Sequence, residues 1–126
     1  MLVGPINSGA GTGGAGAATS TGTSTNIISG FVYAVYVRYN DSPPAATTDI
    51  TVKTKGTDPA CPSTTILTIA NLATDVLKLP RLDTCTALLG TANSTNDALI
   101  PVNDYIQVVI AQANDADNID VWLFLV

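Results

Sequence analysis

The 126-residue chain predicts an all-β fold, an antiparallel β-sandwich or jelly-roll-like single domain with a flexible N-terminal arm. Three observations predict it. Long stretches alternate with period two, the chain has many Thr and Val with no Glu and few Lys, and polar turn clusters punctuate it every eight to twelve residues or so. Glu and Lys are good helix formers, whereas β-branched residues fit a pleated, half-buried surface. Short apolar runs separated by turns in this way suit two packed sheets better than alternating strands and helices.

Residues 7–26 hold only Asn, Ser, Gly, Ala and Thr, with no side chain large enough to anchor a core, so residues 1–26 read as the arm and 27–126 as the folded domain. Leu2, Val3, Pro5 and Ile6 give the arm an apolar tip, suited to ordering on a neighbouring subunit. From Phe31 to Tyr39 the odd positions form an aromatic and β-branched row, and the even positions Val32, Ala34 and Tyr36 are also apolar. Both faces of this strand therefore avoid water, which marks a central strand or one whose second face meets another subunit. Asp41, Pro43 and Pro44 fall in the following loop, because proline lacks the amide donor and Asp favours turns.

Ile50 and Val52 point inward on the next strand, with Thr51, Lys53 and Lys55 outward. Residues 66–69 and 76–79 are short apolar runs, the second ended by Pro80; residues 81–96 carry only weak patterning and read as an irregular loop. Residues 100–111 predict one long strand with Ile106, Val108 and Ile110 on one face. The polar run Asn114, Asp115, Ala116, Asp117, Asn118 predicts a tight antiparallel hairpin to the last strand, 119–126, which is apolar on both faces. The first and last long strands are the natural sheet centre. Their spare face, with Tyr36, Trp122 and Phe124, is the candidate oligomer contact, since a large exposed aromatic patch is unusual on a monomer.

Charged residues make up 12% of the chain against about 25% in an ordinary soluble domain. With ten Asp, five Lys and Arg and a net charge of −5, a phosphate backbone would be repelled, so nucleic acid is not an expected partner. No apolar run approaches the roughly 18 residues that a spanning helix needs, so no membrane partner is expected. The first residues show neither a basic n-region nor an apolar h-region, so synthesis in a cytoplasm is expected.

The chain has no His, which removes Ser-His and Cys-His nucleophiles and every His-based metal site. Acid and base chemistry would fall to Asp alone, and these aspartates sit in or beside turns, where they cap backbone. No catalytic residue and no cofactor is expected. Asn114, Asp115, Asp117, Asn118 and Asp120 offer oxygen ligands at short spacings, but the Gly and the distal Glu of a calcium-binding loop are missing, so a solvated turn is the simpler reading. The Gly-rich stretch 9–16 has no Lys and is a linker rather than a phosphate loop. Cys61 and Cys85 are too few for a disulfide framework; they read as small residues, with a bridge between two loops as the alternative.

The segment Val37-Arg38-Tyr39-Asn40-Asp41-Ser42-Pro43-Pro44-Ala45, followed by Thr47-Thr48-Asp49-Ile50-Thr51-Val52, resembles stretches of small virion proteins of tailed phages, as do Ile110-Ala111-Gln112-Ala113-Asn114-Asp115 and Val121-Trp122-Leu123. The chain is thus similar to head decoration (capsid cement) proteins. The resemblance implies a compact β-sandwich, a homotrimer, that seats on the major capsid protein outside the virion shell and stabilises it by bridging capsomers. Leu2, Val3, Ile6, Tyr36, Asp41, Pro43, Pro44, Trp122 and Phe124 are the expected capsid or oligomer contacts. The alternatives are a carbohydrate- or receptor-binding β-sandwich module of a phage tail or cell surface, and a filament subunit that donates its N-terminal segment.

Overall fold

The computed structural model describes residues 1–40, 45–57, 63–82 and 98–126. Its strands are β1 (Leu2–Asn7), β2 (Ala18–Thr23), β3 (Ile28–Tyr39), β4 (Asp49–Thr54), β5 (Thr65–Ile69), β6 (Val76–Lys78), β7 (Ile100–Asp104), β8 (Ile106–Ala113) and β9 (Ile119–Leu125). They form two antiparallel sheets packed face to face. The first runs β1-β9-β3, with β7 and β6 sharing the far side of β3; the second runs β2-β8-β4-β5.

β3 and β9 pair over Val32 to Tyr39, with Val37 opposite Val121 and Val35 opposite Leu123, so the two doubly apolar strands do form the centre of the first sheet. From the second sheet Ile50, Val52, Ile106, Val108 and Ile110 face them, all fully buried. Burying each such side chain contributes about 1.5 to 3 kcal/mol, and strict period two in β4 and β8 supplies these positions in register. In β3 the alternation changes parity. The register shifts between Val32 and Ala34, so Val32 points inward from an even position while Val35 and Val37 point inward from odd ones. Tyr33 sits at this bulge, and it and Phe31 are exposed instead of sharing the Val35 row.

The expected arm is part of the sandwich, and this corrects the domain boundary at residue 26. β1 pairs with β9 and β2 with β8, each as the end strand of its sheet. The segment between them is also tied down: Thr12 and Thr19 exchange backbone bonds, the Gly11 amide donates to the Asp117 carbonyl and the Ala116 amide to the Gly11 carbonyl. Small residues bring little apolar area, but ladder hydrogen bonds need no side chain, and Ile6 and Ala18 bury what anchoring there is. At Gly22 the strands β1 and β2 approach so closely that a Cβ would stand 1.7 Å from the Asn7 carbonyl oxygen. Only glycine fits there.

Two further expectations are corrected. Residues 100–111 are two strands in different sheets: β7 pairs with β3, then the chain crosses at Tyr105 and β8 pairs with β2 and β4. Residues 114–118 are likewise a crossing between sheets and not a hairpin turn, because β9 already has β1 on one edge and β3 on the other. Asp104 fixes the first crossing. Its carboxylate accepts the Thr57 hydroxyl at 2.6 Å and the amides of Gly56 (2.6 Å), Thr57 (3.2 Å) and Tyr105 (2.7 Å). These bonds, the Thr57 hydroxyl first, hold its pKa at about 2.

Candidate functional site

Inward residues of β9 leave Asp120, Trp122 and Phe124 on the opposite face of the first sheet, and β3 matches them residue for residue: Arg38 opposite Asp120, Tyr36 opposite Trp122, Ala34 opposite Phe124. The flanking strands extend two of these rows. Leu2 of β1 is the partner of Phe124, and Leu77 of β6 is the partner of Tyr36. The result is a platform four strands wide, at about 4.8 Å per strand, built from Leu2, Phe124, Trp122, Tyr36 and Leu77.

Tyr36 and Trp122 rings stand 5.6 Å apart between centroids, tilted by 37°. Trp122 is only partly exposed. Gly4, at φ +136, lets β1 pass beside it: a Cβ there would lie 3.0 Å from Trp122 Cδ1. The Arg38 guanidinium lies over the Trp122 ring at 5.1 Å. Phe124 is 38% exposed, while Leu2 and Leu77 are 58% and 57% exposed. Phe124 is therefore the exposed ring of these rows, with Tyr36 and Trp122 partly exposed beside it. At the bulge, Arg81 lies over Tyr33 at 5.3 Å and donates to the Tyr33 carbonyl at 2.7 Å.

One end of the platform is polar. Asp120 accepts Asn7 Nδ2 at 2.8 Å on Oδ1, and Arg38 Nη2 at 2.9 Å and Asn40 Nδ2 at 3.0 Å on Oδ2. Asn118 Oδ1 accepts the same two amides, Asn7 at 2.9 Å and Asn40 at 2.8 Å. Burial by itself would raise the Asp120 pKa, but the bonds from Asn7, Asn40 and Arg38 outweigh it and the net shift is downward. Asp120 is therefore a charged acceptor that joins β1, β3 and β9 beside the rings. An open groove of about 430 Å³ runs along the other side of β1, between residues 3–7 and 23–28; its lining carries no charged side chain.

Tyr36, Trp122 and Phe124 thus share one face as expected, and Leu2 joins them from a strand of the same sheet and not from the tip of a free arm. Val3 and Ile6 do not: Ile6 is buried in the core and Val3 packs against it, because they point inward from a strand and not outward from an arm. Asp41, Pro43, Pro44, Cys61 and Cys85 lie outside the described residues. The aspartates of residues 114–120 do not converge on one point. Asp117 accepts the Asn114 amide at 3.0 Å, Asp120 is held by Arg38, and the described residues contain no group of three acidic or thiol ligands. Arg38, Asn7, Asn40 and Leu77 are members of the face that sequence reasoning missed. The available signal was the period-two echo of Tyr36 and Arg38 on one strand with Asp120, Trp122 and Phe124 on the other.

No protein-family model matches the chain, and no curated protein matches it in sequence. Among solved structures it is similar to a low-affinity xylan-binding module, CBM86, from the gut symbiont Roseburia intestinalis (TM-score 0.49, 15% identity, 91% of this chain and 75% of that one). It is also similar to the CBM32 of AlyQ in complex with 4,5-unsaturated mannuronic acid (TM-score 0.45, 12% identity, 89% and 74%) and to FLHE (TM-score 0.43, 11% identity, 97% and 90%). At such identities and TM-scores the ligands of these neighbours are properties of the neighbours alone.

Proposed function

We propose that the chain is a non-catalytic binding module that holds a glycan on the outer face of the first sheet. The observation that carries this reading is the juxtaposition of an exposed Phe124 ring and the partly exposed Tyr36 and Trp122 rings with a fixed rim of Arg38, Asp120, Asn7 and Asn40. A pyranose has an apolar C–H face that stacks on an aromatic ring and an equatorial belt of hydroxyls that needs planar donors and acceptors. Both kinds of group lie on adjacent rows here. Affinity electrophoresis through gels containing a panel of soluble polysaccharides tests the reading. Retardation by at least one polymer that Tyr36→Ala and Phe124→Ala abolish is expected, and migration unaffected by every polymer overturns it.

A second reading is favoured by the leucines around the rings. Leu2, Leu77 and Leu79 are each more than half exposed, more apolar surface than a sugar needs. In this reading the face seats on the major capsid protein of a phage shell or on other copies in a homotrimer, and the protein stabilises the shell by mass action. Bridging by a free arm is no part of it, since β1 belongs to the sandwich. Sedimentation alone and with expanded phage capsids separates the two: an oligomer that co-sediments supports the shell reading, and a monomer that stays in the supernatant removes it.

A further inference from the structure

The chain has only five Lys and Arg, yet two of them, Arg38 and Arg81, are laid over rings of the same sheet. We infer that the ligand of this face is an anionic glycan, one that carries carboxylates, gripped by Arg38 and Arg81 from the two ends of the aromatic platform. This rests on the glycan reading above.

Each guanidinium is already immobilised. Arg38 is held by the Trp122 ring and by Asp120; Arg81 by the Tyr33 ring and by the carbonyls of Tyr33 (2.7 Å) and Pro80 (2.6 Å) through Nη1. A guanidinium has five N–H donors in a rigid fork, so these bonds leave donors directed elsewhere, and a pinned fork loses little entropy on closing over a carboxylate. Half of the Arg38 side chain remains exposed. Asp120 is paired with Arg38 and also accepts Asn7 and Asn40, and Asp75 accepts the Tyr39 amide. Arg38 and Tyr33 are five residues apart on β3, roughly 16 Å of strand, with Tyr36 between them. That spacing fits carboxylates repeated along a polymer better than a single charged sugar. Because Asp120 balances the charge of Arg38 and the whole chain is acidic, recognition comes from directed N–H to oxygen bonds and not from a general positive field.

The test measures binding of wild type, Arg81→Gln and the Arg38→Gln/Arg81→Gln double variant to polygalacturonate and to the same polymer after carboxyl reduction, by titration calorimetry, with thermal melts to check folding. Reduction keeps chain length and the stacking faces but removes the charge. The expected result is a preference of about tenfold for the carboxylated polymer in wild type, smaller in Arg81→Gln and close to one in the double variant. Equal binding of both polymers by wild type overturns the inference and leaves the glycan reading standing. A preference that survives in the folded double variant overturns the assignment to these arginines. Binding of neither polymer, together with no retardation by the polysaccharide panel, sinks the inference and the glycan reading together.

Discussion

Arg38 and Asp120 lie opposite each other across β3 and β9, Nη2 to Oδ2 at 2.9 Å, but they are not equal partners, since the arginine side chain is 48% exposed and the aspartate 12%. Solvent screens the arginine, and an exposed ion pair contributes little. The aspartate also accepts Asn7 and Asn40, which ties the end of β1 to the sheet centre. Asp120→Ala should therefore cost about 1 to 3 kcal/mol, and Arg38→Ala less than about 1 kcal/mol. Urea unfolding checks both, and equal losses would show that the asparagine bonds contribute nothing.

Asp104 predicts the acid limb of the stability curve. Its folded pKa of about 2 lies below the usual carboxylate value near 4, so the stability that it contributes is present above pH 4 and is lost as pH falls towards 2. Asp104→Asn places an amide against the N–H groups of Gly56 and Thr57. This variant should be less stable than wild type at pH 6, with the gap narrowing by pH 2. Thermal melts across that range measure it; a gap that does not change with pH contradicts the assignment.

Gly22→Ala should be disruptive although glycine to alanine normally favours order in a strand. The new Cβ would meet the Asn7 backbone at 1.7 Å, and neither backbone can move without breaking the β1 and β9 or β2 and β8 ladders. A loss of about 1 to 3 kcal/mol is expected from overpacking, against no loss for Gly14→Ala, which has open space around it.

Removing residues 1–25 distinguishes a built-in strand pair from an arm. Without β1 and β2, β9 and β8 become bare sheet edges and Ile6 and Ala18 leave the core. The shortened chain should aggregate or melt far below the full one in circular dichroism, whereas a chain that lost only an arm would melt unchanged.

What the sequence revealed divides along one physical line. Where one face of a strand is apolar and the other polar, period two places the residues, as in β4 with Ile50 and Val52 inward. In β3 both parities are apolar, so alternation locates neither the bulge at Tyr33 nor the parity change after it. β2 is built of Ala, Thr, Ser and Gly and gives no apolar signal, because its place depends on backbone bonds to β8. The rings of the candidate site were legible as a spare face of two strands. Its polar rim was not, since Asn7, Asn40 and Asp120 are joined only by the pairing of distant segments, and a turn-forming aspartate and a bridging one look alike in one dimension.

The pairing of β9 with both β1 and β3 also sets a timetable for synthesis. β9 is the last of these strands to leave a ribosome, so β1 and β3 emerge with no partner between them and the first sheet stays unclosed while the second can already pair β2, β4 and β8 once β8 is out. A chain that has not yet added β9 leaves the inner apolar face of the first sheet without its central strand, and the ladder that closes it joins residues more than a hundred positions apart, which makes closure the slow, aggregation-exposed step of folding.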